Sequence, residues 1–154
     1  MINSKLGRQG IGLLVGYILQ FLAGMTLNLF VTIPSNHPGS AGSNYFARSW
    51  HSLMWSLSGH GGWVLSFHVI LALLLVVGSI SLFIFALISH DKIWSITGGV
   101  AALLTLGAFF NGMSFIDFNK DLSSMIMAVC WIGAVAALIV GLVIYPKRII
   151  RTAS

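Results

Sequence analysis

The spacing of the charged side chains constrains this chain more than any other feature. Four long stretches contain no Lys, Arg, Asp or Glu. They lie between Arg8 and Arg48, between Arg48 and Asp91, between Lys92 and Asp117, and between Asp121 and Lys147. Each stretch holds an apolar run long enough to cross ~30 Å of hydrocarbon as a helix that rises ~1.5 Å per residue. The sequence therefore predicts four transmembrane helices, near residues 11–33, 63–89, 93–116 and 123–145.

Composition supports a membrane protein with one domain. Of the 154 residues, 57% are hydrophobic and only 7% are charged, which is too few charges to cover the surface of a soluble domain. Four spans with short connections use nearly the whole chain, so we expect a single all-α membrane domain over 1–154. Lys5 and Arg8 precede the first apolar run, but this run exceeds the ~7–15 residues of a signal-peptide core, and we interpret it as a retained span.

The basic residues predict the orientation, because Lys and Arg beside spans stay on the cytoplasmic side during insertion. Six of them fall on one side of the predicted topology: Lys5, Arg8, Lys92, Lys147, Arg148 and Arg151. Only Arg48 and Lys120 fall on the other. Both termini should therefore be cytoplasmic, in what we expect to be a bacterial cytoplasmic membrane. The net charge of +5 then reflects topology and anionic lipid rather than a nucleic-acid partner.

The long outer connection, residues 34–62, changes character along its length. Its first part, 34–44, is rich in turn formers and predicts an irregular loop. Over Tyr45 to Leu57, one set of apolar residues recurs at helical spacing: Phe46, Trp50, Leu53, Met54 and Leu57. A polar set falls on the other faces: Arg48, Ser49, Ser52 and Ser56. This pattern predicts a short amphipathic helix in the outer membrane interface, a depth that also suits Trp50, Trp55 and Trp63.

Small residues indicate where the spans pack, because helices associate in lipid by close backbone approach. The first span carries a stripe at a strict spacing of four: Gly12, Gly16, Gln20, Gly24 and Asn28. Similar pairs and triplets occur later: Gly98 with Ala102, Ala108 with Gly112, and Gly133 with Ala137 and Gly141. We expect a compact four-helix bundle, with Cys130 as a small buried residue.

Polar residues gather in the outer half. Asn28, His68 and Asn111 each lie about five residues, or ~7–8 Å, below the predicted outer surface, with Met127 at the same level. Three ionisable residues lie above them: His51, His60 and Asp117. Ionisable groups in or near hydrocarbon are costly and therefore indicate function. We interpret His37 and His90, in contrast, as ordinary solvated histidines.

One interpretation of this layer is a b-type haem, which needs imidazole or thioether ligands projecting into an apolar slot. His68 would be one ligand, and His51, His60 or Met127 the other. Aromatic residues could line the slot: Trp50, Trp55, Trp63, Phe67 and Phe115. In its architecture and in His68, the chain resembles small bacterial four-helix membrane cytochromes of the b type. The resemblance implies haem b, and electron transfer or haem sensing or handling as the function.

Two other interpretations stay open. His51 and Met54 lie three residues apart and, with His60, His68, Met125 and Met127, could bind copper from outside. Alternatively, His68 hydrogen-bonds Asn111 or Asn28 and is structural. The chain would then be a noncatalytic accessory subunit that contacts a membrane partner, or a second copy, through its outer helix and tryptophans. Hydrolase or transferase chemistry is not expected, because three aspartates and no glutamate offer no close carboxylate pair.

Overall fold

A computed structural model describes residues 5–34, 36–37, 44–118 and 120–152, with side chains to residue 144. All regular secondary structure in these ranges is helical, and no strand occurs in them. Five helices follow one another along the described chain: α1 (Lys5–Phe30), α2 (Tyr45–Leu57), α3 (Trp63–Ile88), α4 (Lys92–Phe118) and α5 (Asp121–Thr152). Most of the predicted irregular loop, namely 35 and 38–43, lies outside the described residues.

Four of these helices, α1, α3, α4 and α5, are long and apolar enough to cross a membrane, which confirms the predicted spans. Their ends differ from the prediction mainly at α1 and α5. The first helix begins at Lys5 and ends at Phe30, and the last continues to Thr152. Hydropathy marks only the part in hydrocarbon, whereas a helix can extend into water at either end. The early end of α1 follows from Pro34, which disfavours helical backbone at Ile33.

The long helices form a closed ring in the order α1, α3, α4, α5, with α5 returning to α1. Glycines form the contact between α1 and α3, since a Cβ on Gly16 would lie 2.8 Å from Leu75 and one on Gly78 would lie 2.9 Å from Leu13. The predicted stripe on α1 is therefore correct in its middle. Its end at Gly12 has no heavy atom within 4 Å, and Asn28 is exposed. A spacing of four rotates by ~40° per step on a helix of 3.6 residues per turn, so the ends of the stripe leave the contact face.

Glycines also bring α4 and α5 together. A Cβ on Gly133 would lie 2.7 Å from Leu104, and one on Gly141 would lie 3.0 Å from the indole of Trp94. The half-buried Cys130 has its Sγ 3.1 Å from the Cβ position of Gly107 on the facing helix. It therefore fills space in a helix contact, as the sequence predicts for a small residue.

Tyr17 joins three of the four spans. Its side chain is 2% exposed, and its hydroxyl hydrogen-bonds Thr105 on α4. Its backbone carbonyl accepts a hydrogen bond from the indole Nε1 of Trp131 on α5, at 3.1 Å. Nearer the start of α1, the Gln9 amide donates to the carbonyl of Gly78 on α3, at 3.1 Å. Interhelical hydrogen bonds of this kind fix the relative positions of helices in lipid.

The short helix α2 packs on α4 and α3 and covers one end of the bundle, which we call the α2 end. Asn44 caps it, since its side-chain oxygen accepts a hydrogen bond from the Ala47 amide at 2.9 Å. After α2, Gly59 and Gly62 adopt φ values of 85° and 88°, which glycine tolerates best, and turn the chain into α3.

The buried and exposed faces of α2 are reversed relative to those of an amphipathic helix on a soluble protein, which buries its large apolar residues. Its buried residues are mostly small and polar: Ser49, Ser52, Leu53 and Ser56. Its large apolar side chains point away, with Phe46 78%, Trp50 58% and Met54 39% exposed. The predicted helix exists over the predicted residues, and its position in the membrane interface stays a prediction. Small side chains allow close helix approach, which suits the buried serine face of α2.

Candidate functional site

His68, the histidine that the sequence places inside the bundle, faces α1. Its Nε2 lies 3.1 Å from the side-chain amide nitrogen of Gln20, and the two groups form a partly buried hydrogen bond. The ring also lies against Gly24, where a Cβ would come within 3.2 Å of the imidazole Cε1. Gly24 therefore provides the space that the imidazole occupies.

The two asparagines predicted to bond His68 do not do so. Asn28 is exposed, and the Asn111 amide donates to the carbonyl of Gly107, one turn back on its own helix, at 2.8 Å. The antiparallel register of α1 and α3, in which Leu13 meets Gly78 and Gly16 meets Leu75, instead places Gln20 opposite His68. Counting residues from the helix ends predicts how deep a residue lies in the bundle, but it does not predict which way its side chain points.

The Gln20–His68 pair retains hydrogen-bonding capacity. Gln20 Oε1 and His68 Nδ1 are both buried and have no hydrogen-bond partner among the described residues. The Nε2 of His68 therefore forms the hydrogen bond between α3 and α1, and the Nδ1 takes no part in it. The pair can act as a structural link between α1 and α3, and the second nitrogen has the chemistry of a metal ligand.

The other predicted ligands lie on different parts of the molecule. His60 is exposed and its Nδ1 hydrogen-bonds the Ser58 hydroxyl at 2.6 Å, while His51 is exposed on α2. The Met127 sulfur lies between α4 and α5, 3.3 Å from the Cβ position of Gly112. His68 contacts Gln20 and Gly24 on α1, and its pairing with His51, His60 or Met127 as haem ligands stays a prediction. No group of three or more His, Cys, Asp or Glu side chains that could hold a metal occurs in the described chain.

The aromatic residues predicted to line a haem slot are also spread out. Trp63 is 79% exposed and Phe67 48% exposed, and Trp50 points away from the bundle. Phe115 is half-buried, and Trp55 stacks on His37 with the ring centroids 4.3 Å apart. The haem interpretation stays a prediction that rests on His68 itself.

His37, interpreted from the sequence as solvated, is buried, and that interpretation was wrong. It is 5% exposed, and its Nε2 lies 3.2 Å from the carbonyl oxygen of Ile116 on α4. Together with the stack on Trp55 of α2, this hydrogen bond ties the chain after α1 to two helices at the α2 end. Turn-rich sequence around a histidine indicates a loop, but it does not indicate whether the loop folds back onto the bundle.

An ion pair crosses from α2 to α4. Arg48 Nη2 lies 3.4 Å from Asp117 Oδ1, and the Asp117 side chain is 0% exposed whereas that of Arg48 is 34% exposed. The Arg48 guanidinium also lies over the Phe118 ring, 4.6 Å from its centroid, and the Lys120 ammonium lies 5.5 Å from the same centroid. Asp117 was singled out from the sequence, but Arg48 was not recognised as its partner. The sequence contains a signal for this pairing, since Arg48 and Lys120 are the two basic residues predicted on the same side of the membrane as Asp117.

Two polar pairs of the described chain contain a residue that the sequence marks as a functional candidate: His68 with Gln20 within the bundle, and Asp117 with Arg48 under α2. Tyr17 and Gln20, which link α1 to the other spans, share one side of α1 with Leu13 and Gly24. Comparison with protein families, curated proteins and solved structures finds no significant match to this chain.

Proposed function

We propose that the chain is a noncatalytic subunit or accessory protein of a membrane complex, and that it contacts its partner through α2. The observation that carries this proposal is the outward direction of the large apolar residues of α2. Phe46 is 78% exposed and Trp50 58% exposed, and Trp63 at the start of α3 is 79% exposed. Aromatic side chains are enriched at protein interfaces and dominate their binding energy.

The internal polar contacts support the same proposal. The hydroxyl of Tyr17 and the side chains of Gln20 and His68 bond between helices. Groups used in this way stabilise the bundle, and they do not form the acid, base or nucleophile arrangement of a catalytic site. A rigid bundle that presents an aromatic face is suited to holding another membrane protein.

Photo-cross-linking in living cells tests the α2 contact. With benzoylphenylalanine in place of Trp50, we expect a discrete cross-linked band whose mass identifies a partner protein or a second copy of the chain. The matched control is Leu103 on α4, which is 70% exposed in the middle of a span and should cross-link mainly to lipid. The same bands at both positions, or none at Trp50, would exclude α2 as the contact surface.

The proposal includes an orientation, with the α2 end outside the cell and both termini in the cytoplasm. The six-to-two distribution of Lys and Arg supports it. In a chain with Cys130→Ser, a membrane-impermeant maleimide should label Ser58→Cys in intact cells, because Ser58 is exposed at the α2 end. Labelling only after the cells are broken would mean that the α2 end lies in the cytoplasm, opposite to the proposed orientation.

Haem binding at His68 is the second candidate function, and one observation favours it. The buried Nδ1 of His68 has no hydrogen-bond partner among the described residues, so this nitrogen is available as a ligand. A bound haem would supply electron-transfer or sensing chemistry. Copper binding by His51, His60 and His68 stays a prediction, since these residues lie apart.

The colour of the purified protein separates the two functions. If haem binds, protein from haem-sufficient cells should show a Soret band that His68→Ala abolishes. His90→Asn, at an exposed turn with a positive φ of 53°, should keep the band. A colourless wild-type protein would overturn the haem proposal and leave the accessory function standing. Copper analysis of the same sample, after loading with Cu(I), tests copper binding. Substoichiometric copper would overturn that interpretation.

A further inference from the structure

Several buried polar atoms of α2 and of the end of α4 have no hydrogen bonds among the described residues. On α2, Ser49 is 3% and Ser52 0% exposed, and neither hydroxyl has a hydrogen-bond partner among the described residues. The same is true of Arg48 Nε and of both carboxylate oxygens of Asp117. The ion-pair distance of 3.4 Å is longer than the ~2.7–2.9 Å of a charge-assisted hydrogen bond, so the ion pair does not satisfy the carboxylate.

Such a concentration requires an explanation. Most buried polar atoms in native proteins have a hydrogen-bond partner, which is the protein itself, an ordered water or an ion. The polar atoms belong to one face of α2 and to the end of α4 against which α2 packs. A dry contact would leave both a carboxylate and two hydroxyls without hydrogen bonds in one place, at a large cost in stability.

The charges indicate what occupies this contact. Arg48 and Asp117 have opposite charges, so the contact needs no additional ion for neutrality. A cation would be repelled by Arg48, and an anion by Asp117. The atoms include donors, such as Arg48 Nε, and acceptors, such as the carboxylate oxygens, and only a molecule that both donates and accepts can satisfy them. Water meets this requirement, and it bridges buried polar groups in many proteins.

We propose that bound water lies between α2 and α4 and bridges Asp117 to Arg48 and to the hydroxyls of Ser49 and Ser52. The site is close to bulk water, because the Arg48 side chain that forms one of its walls is 34% exposed. In this arrangement α2 rests on a hydrated polar surface, and its large apolar side chains point away from the bundle. The proposal is independent of whether α2 binds a partner.

Two serine substitutions test the proposal in lipid nanodiscs. If water bonds the Ser52 hydroxyl, Ser52→Ala should lower the Tm by about 2–4 °C, the shift that corresponds to one lost hydrogen bond in a chain of this size. If the contact is dry, the same substitution removes an unsatisfied group, and the Tm should rise. Ser56→Ala is the matched control, because Ser56 is also 0% exposed but its hydroxyl already donates to the Ser52 carbonyl at 2.8 Å.

A Tm for Ser52→Ala equal to or above that of the wild type would overturn the proposal, and Ser56→Ala gives the fall expected for one lost hydrogen bond. Ser49→Ala gives a second measurement if the Ser52 variant does not fold. Water-edited solid-state NMR then distinguishes water from a direct bond between serine and carboxylate. Magnetisation should pass from water to Ser49 and Ser52, and not to Ala134 in the 0% exposed core. Absence of transfer to the serines would reject the water site even if the Tm falls.

Discussion

Replacing Trp94 by alanine is expected to lower the free energy of unfolding by about 3–5 kcal/mol, the range for truncating a large buried aromatic residue. The Trp94 side chain is 0% exposed. Two glycines leave room for it, since a Cβ on Gly10 would lie 2.7 Å from the indole and one on Gly141 would lie 3.0 Å from it. Rigid helix backbones on both sides cannot close the cavity. Unfolding by steric trapping in bicelles measures the loss.

Trp63 provides the matched control. It is the same residue type in the first turn of a span, but it is 79% exposed. Trp63→Ala should therefore cost less than about 1 kcal/mol in the same assay, since most of its surface contacts no protein. Equal losses for the two variants would show that Trp94 does not have the central packing role described here.

Arg48→Gln should also be strongly destabilising, by about 2–3 kcal/mol. Removing one member of a buried charged pair leaves the other without its counter-ion, and the penalty lies mainly on the buried Asp117. We expect the lower part of the usual range because the Arg48 side chain is 34% exposed. The same unfolding assay measures the change, and α2 should become the first segment to lose protection from hydrogen exchange.

A double-mutant cycle with Asp117→Asn isolates the interaction. The double variant should be less destabilised than the sum of the two single variants, because neither charge is then left alone. Lys120→Gln is the control, since Lys120 is exposed and lies over the same Phe118 ring at 5.5 Å. It should cost less than about 1 kcal/mol. Additive single effects would mean that Arg48 and Asp117 do not stabilise each other.

The sequence predicts the spans well because lipid imposes a strong rule. A charged residue inside hydrocarbon is costly, so the gaps between charges outline the helices α1, α3, α4 and α5. The bounds of α2, Tyr45–Leu57, were also predictable, since a helical repeat of apolar residues follows turn-forming sequence. These signals are local, and each can be read from a short segment.

The site was less predictable because it depends on contacts between segments. Which residue meets His68 is set by the register of α1 against α3, and the observed partner Gln20 lies about two helical turns before Asn28 on α1. The inward face of α2 could not be read from hydropathy, because lipid and protein both accept apolar side chains. In α2, the small residues Ser49 and Ser52 mark the side buried against the protein better than the large residues do.

The hydrogen bonds of Tyr17 have a consequence for biogenesis. Tyr17 belongs to α1, yet its bonding partners, Thr105 and Trp131, belong to α4 and α5, which are synthesised later. Gln20 likewise finds His68 only after α3 has been made. For a chain that inserts helix by helix into a membrane, insertion and association of α1 are therefore separate events, and its polar groups find these partners only after α4 and α5 have been made. During that interval, another molecule must cover the side of α1 that carries Tyr17 and Gln20.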